Sequence, residues 1–150
     1  MKSYPFAKLS VTGFPNTADL NNKWIFPLDV KVIINVSGHD YPKEIASVLN
    51  SRGVKTYCFP LVEEGPDMGL ENVLSAIRVL KEADAAGEKV ILHCTCGNNR
   101  SRTVAEAFCY AKTGEHFADE YKGYQNHLVY NCETGHLPDL ATLESLLKTV

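Results

Sequence analysis

Val90-Ile91-Leu92-His93-Cys94-Thr95-Cys96-Gly97-Asn98-Asn99-Arg100-Ser101-Arg102 is the stretch on which the reading of this chain turns. Lys89–His93 is a short, dense apolar run, the pattern of a strand covered on both faces. A polar loop follows, and Ser101–Thr113 then reads as a helix ended by Gly114. Strand, loop and helix in that order make an anion cradle. Backbone N–H groups of the loop turn inward as a nest, and the first turn of the helix adds unpaired N–H groups and its positive dipole end. Gly97 allows backbone angles that a side chain would forbid. Arg100 brings a planar fork that matches two oxygens of a phosphate.

Cys94 stands at the mouth of this cradle. A thiolate there is stabilised by the nest, the dipole and Arg100, so the features that bind a phosphate also activate the nucleophile that attacks it. The Ser101 hydroxyl can donate to the sulfur, and His93 can bond nearby carbonyls and hold the loop open. Thr95, Cys96, Gly97, Asn98, Asn99 and Arg100 are the expected phosphate-binding residues. The plain alternatives are a buried structural thiol for Cys94 and a surface ion pair for Arg100. A loop holding both Gly and Arg is a rare setting for a structural thiol.

Outward from this stretch the apolar period keeps switching between strand and helix. Ala7–Thr12, Lys31–Val36 and Val54–Phe59 are further predicted strands, and Pro42–Arg52 and Leu70–Ala86 predicted helices. Phe117–Tyr130 and Leu140–Lys148 complete a helical last third. This alternation implies an α/β fold: a central, mostly parallel sheet of four to five strands flanked by helices. The 150 residues fit one domain, with no repeat or linker. Trp24 is expected as a core or edge anchor.

Charge and cysteine usage narrow the function. A net charge of −3 does not suit a chain that binds nucleic acid or membrane through its overall field. Five cysteines without regular spacing make a poor disulfide framework. The mixed segment Met1–Thr12 does not read as a secretory leader. A cytoplasmic protein with reduced thiols is expected. His93, Cys94, Cys96 and Cys58 lack the paired spacing of a structural zinc site.

His93-Cys94-x-x-Gly97-x-x-Arg100-Ser101 resembles the signature loop of the protein-tyrosine-phosphatase superfamily, H-C-x-x-G-x-x-R-[ST]. The short chain looks like the compact dual-specificity branch, and the resemblance spans roughly Lys8 to Thr113. It implies a phosphatase-like fold and phosphomonoester hydrolysis through a phosphocysteine, with no metal or organic cofactor. The substrate would be a phosphorylated protein or a small phosphomonoester.

In that family an acid on a loop precedes the nucleophile by one helix and one strand. Pro60-Leu61-Val62-Glu63-Glu64-Gly65-Pro66-Asp67 occupies the place, with Glu63 where Asp is usual. Glu63 and Asp67 are the leading candidates for general acid, with the adjacent Glu64 expected to point the other way in an extended loop, and Asp67 also suits an N-cap of the following helix. A binding module without turnover is the alternative function. A thiol redox enzyme is a third reading, needing Cys58 or Cys96 as resolving thiol.

Overall fold

The computed structural model describes residues 2–4, 8–62, 69–95 and 100–113. The predicted helices 117–130 and 140–148 lie outside them. The elements are β1 (Lys2–Tyr4), β2 (Leu9–Thr12), α1 (Thr17–Leu20), β3 (Val30–Asn35), α2 (Lys43–Ser51), β4 (Lys55–Cys58), α3 (Leu70–Ala86), β5 (Lys89–His93) and α4 (Arg100–Thr113). They form one five-stranded sheet in the order β1-β2-β5-β3-β4. Only β1 runs antiparallel, against β2; the other neighbours are parallel.

Alternation along each strand sends side chains to opposite faces. Val90 and Leu92 of β5 and Val32 and Ile34 of β3 point to the face covered by Val73, Ile77 and Leu80 of α3 and Val104 and Phe108 of α4. Ile91 and Ile33 point to the other, under Leu20 of α1 and Ile45 and Leu49 of α2. Each such buried side chain contributes about 1.5–3 kcal/mol relative to exposure. Lys112 of α4 pairs with Asp84 of α3 across the first face. No helix among the described residues is long and apolar enough to cross a membrane.

Two short elements add to the sequence reading. β1 is a strand of three residues that pairs, among the described residues, with β2 alone. α1 is a single turn held by a capping box: Asp19 N–H donates to the Asn16 side chain at 2.8 Å, and Asn16 N–H donates to Asp19 Oδ2 at 3.0 Å. The expectation for Trp24 is overturned. Its side chain is 87% exposed, and the neighbouring Phe26, 2% exposed, takes the core position instead.

Candidate active site

β5 is the middle strand, and its carboxyl end is where the cradle begins. Ligands of open α/β sheets bind at the carboxyl ends of the strands. The alternation continues past the strand, so His93 and Cys94 serve opposite faces. Cys94 joins the core under α3 and α4 and is 2% exposed. His93 packs edge-on against Phe14, with centroids 5.1 Å apart, and lies 5.5 Å from the ring of Tyr41.

The hydrogen bonds of His93 fix its tautomer. Nδ1 lies 3.0 Å from the carbonyl of Cys94, which can only accept, so Nδ1 carries the proton. Nε2 of the neutral ring is then the acceptor for the hydroxyl of Tyr41, 2.6 Å away. Burial pushes the imidazole pKa down to about 4, against a smaller upward effect of the Cys94 carbonyl. Burial likewise raises the phenol of Tyr41 above its ordinary value. The ring therefore stays neutral, with its Nδ1–H on the Cys94 carbonyl at the end of β5. A further tie comes from Phe14, whose N–H donates to the Thr95 carbonyl at 2.9 Å.

Arg100 opens α4 and is 8% exposed. Its Nη1 donates to the carbonyls of Ser37 at 2.8 Å and Leu61 at 3.2 Å, and its Nη2 donates to Thr95 Oγ1 at 3.0 Å. Its Nε is buried and has no hydrogen-bond partner among the described residues. Carbonyls thus hold one side of the guanidinium in place, while Nε–H is a buried donor of the kind that an anion satisfies. The next residue, Ser101, is fully buried, with its hydroxyl oxygen 3.2 Å from the sulfur of Cys94.

Sequence reading missed the support behind Arg100. Asn35, 2% exposed at the end of β3, accepts from both the N–H and the hydroxyl of Ser37, at 2.9 and 2.6 Å. Its amide donates to the His39 carbonyl at 2.7 Å. Gly38 between them has φ 82°, a left-handed turn that glycine takes without strain. The carbonyl that grips Arg100 therefore belongs to a turn knitted by Asn35. The signal was present: an amide closing an otherwise apolar strand needs a buried partner.

The segment bearing Glu63, Glu64 and Asp67 lies outside the described residues, as do Cys96, Gly97, Asn98 and Asn99. The base of the acid-bearing segment is fixed on both sides. Leu61 N–H donates to Val36 O at 3.1 Å, and the Asn72 amide donates to Pro60 O at 2.7 Å. The N-cap of α3 is Gly69, with φ 111°, so the cap role that suited Asp67 falls to a later residue. A Cβ on Gly69 would stand 3.4 Å from Leu61 Cδ2.

Cys58 is exposed, at the end of β4. Desolvation, and then the charge of Asp40, push its thiol above the ordinary value. Asn35 pairs with His93 on one side and with Cys58 on the other, so Cys58 is two strands away from β5. Tyr57 and Phe59 pack on the face that Cys94 shares, and alternation turns Cys58 to the opposite one.

The fold matches that of solved structures whose sequences are 14% to 17% identical to this chain. The core catalytic domain of the PP-IP phosphatase SIW14 from S. cerevisiae matches with a TM-score of 0.64 and 14% identity, over 97% of this chain and 82% of that one. P. aeruginosa TpbA in complex with pTyr matches with a TM-score of 0.63 and 17% identity, over 95% of this chain and 85% of the other. The active form of Tk-PTP gives 0.58 and 17%, over 94% and 88%. No protein-family model matches the sequence, and the search of curated proteins returns no match.

Proposed function

We infer that the protein is a cysteine-dependent phosphomonoester hydrolase of the tyrosine or dual-specificity type. The observation that carries this reading is the meeting of Cys94, Ser101 and Arg100 at the carboxyl end of the central strand, with sulfur and hydroxyl 3.2 Å apart and the guanidinium anchored by backbone carbonyls. The similarity in fold to a PP-IP phosphatase and to a protein that binds pTyr supports it.

The reaction runs in two steps. The Cys94 thiolate attacks phosphorus in line, forming an S–P bond as the P–O bond to the leaving group breaks. Arg100 and the loop amides of 95–99 hold the remaining phosphoryl oxygens while charge shifts. Glu63 or Asp67 gives its proton to the departing oxygen. The resulting carboxylate then takes a proton from water, which attacks phosphorus and releases inorganic phosphate. Ser101 O–H stabilises the sulfur as it leaves. In this scheme Cys94, the acid residue and water account for every proton and electron pair. The nucleophile must stay reduced, which suits the cytoplasm.

Hydrolysis of p-nitrophenyl phosphate in the presence of EDTA tests this. Turnover that vanadate inhibits is the expected result. A folded sample with no turnover between pH 5 and 7.5 would instead favour a phosphate-binding module.

A further inference from the structure

Asn35 closes β3, in register with His93 on one side and Cys58 on the other. Its main-chain carbonyl accepts from Phe59 N–H at 2.9 Å, so neighbouring strands already hold its backbone. The side chain is used elsewhere. Ser37 N–H can only donate and the His39 carbonyl can only accept, which fixes the amide with Oδ1 towards Ser37 and Nδ2 towards His39. The Ser37 hydroxyl donates to the same Oδ1 and accepts from His39 N–H at 3.0 Å. Four hydrogen bonds thus close on one turn, residues 35–39. Asn35 and Ser37 are both buried, so water does not compete for these bonds.

The turn presents one group to the site. The Ser37 carbonyl takes one hydrogen of Arg100 Nη1 at 2.8 Å, and the Leu61 carbonyl takes the other at 3.2 Å. Thr95 Oγ1 takes one from Nη2 at 3.0 Å. Nε–H and the second hydrogen of Nη2 remain for an anion, and Nε is buried with no partner among the described residues. The guanidinium is planar and rigid, so the groups that hold one part of it set the direction of the rest. Of these three acceptors the Ser37 carbonyl makes the shortest bond, and Asn35 holds it in place.

We propose that Asn35, acting through the Ser37 carbonyl, is a positioning residue for Arg100, and that it fixes the guanidinium so that the remaining donors meet phosphate already aligned. The inference rests on the reading of Arg100 as phosphate clamp and adds what aims the clamp. Without the amide, Ser37 N–H and the His39 carbonyl lose their partners and the turn relaxes. The Ser37 carbonyl moves with the turn, and the fork loses its match to two phosphate oxygens. The amide contributes preorganisation and no charge.

The test follows the side-chain Nε–H signal of Arg100 by NMR, assigned by its loss in Arg100→Lys, without and with inorganic phosphate. In the wild-type protein without phosphate the signal is expected to be sharp and slow to exchange with solvent. In Asn35→Ala it should broaden or vanish through exchange, and the phosphate Kd should rise about tenfold. Ser37→Ala keeps the carbonyl and the N–H bond to Asn35 but loses the hydroxyl, so its Kd should rise by about threefold. The double variant should match Asn35→Ala within about twofold, because both residues act through one turn. A merely structural role would lower the melting temperature and leave the Arg100 signal and the Kd of the folded protein unchanged. That result overturns the proposal, and so does full multiplication of the two losses in the double variant. If Asn35→Ala does not fold, Ser37→Ala decides alone: weaker binding upholds the proposal, and an unchanged signal and affinity overturn it. A wild-type protein that binds no phosphate fails the phosphatase reading separately. The phosphate-free signal then decides whether Asn35 holds Arg100: its loss in Asn35→Ala upholds the hold, and its persistence overturns it.

Discussion

The hydroxyl of Tyr41 donates to Nε2 of His93 across 2.6 Å, and the opposite nitrogen of the same ring holds the carbonyl of Cys94. The ring is fully buried and neutral, with its pKa lowered to about 4. In the unfolded chain an imidazole takes its proton near pH 6.5. As pH falls below that, the unfolded state binds a proton that the folded state refuses, so stability declines until the folded ring titrates near pH 4. The full loss is about 3 kcal/mol. Denaturant unfolding from pH 7.5 to 4 should show this decline, and His93→Gln should flatten it. A wild-type curve level across that window would contradict a neutral buried ring.

Ser101 should matter in the second step more than in the first. Its hydroxyl is 3.2 Å from the sulfur, where a donated hydrogen bond stabilises the departing thiolate. Ser101→Ala should slow turnover about tenfold to a hundredfold while leaving phosphoryl transfer to Cys94 fast. Rapid-mixing assays with p-nitrophenyl phosphate would then show a stoichiometric burst followed by a slow steady state. Equal slowing of both phases would remove the assigned role.

Glu63 and Asp67 are the proposed general acids, and leaving-group chemistry separates them. Removing the acid should slow alkyl or peptide phosphates far more than aryl phosphates and flatten the basic limb of the pH–rate profile. Glu63→Gln is expected to do this, following the family spacing from Pro60. The effect appearing in Asp67→Asn, with Glu63→Gln like wild type, would transfer the role to Asp67.

Oxidation should not join Cys58 to Cys94. Neighbouring strands lie about 4.8 Å apart, so two steps across the sheet separate the backbones by about 10 Å. A disulfide tolerates no more than about 7 Å between Cα atoms. The two side chains also turn to opposite faces, and the Cys58 thiol is raised rather than lowered. Peptide mapping after mild peroxide should find oxidised Cys94 without a Cys58 crosslink. Finding that crosslink would require the sheet edge to open.

Much of this fold was legible because burial on both faces writes a plain signal. Lys31–Val36 and Lys89–His93 are dense apolar runs, and they became β3 and β5 at the centre of the sheet. Leu70–Ala86 was bounded correctly because Gly87 adopts φ 69° at its C-cap. β1 was not legible: three residues paired only at an edge have no period to read. Trp24 misled because apolar character alone does not say which way a residue in a connection faces. At the site, Cys94, Arg100, Ser101 and His93 were legible from local spacing. Ser37, Phe14 and Tyr41 were not, because each reaches Arg100 or the loop only through long-range folding, whereas the buried amide of Asn35 left a local signal that was overlooked.

The central claim is that phosphate passes through the sulfur of Cys94. Acid quench of the wild-type protein or of Ser101→Ala during turnover, followed by mass spectrometry of the Cys94 peptide, measures it directly. The expected result is one phosphoryl group on Cys94, absent without substrate and absent in Cys94→Ser, which should bind phosphate yet turn nothing over. Steady turnover by Cys94→Ser near the wild-type rate would contradict it.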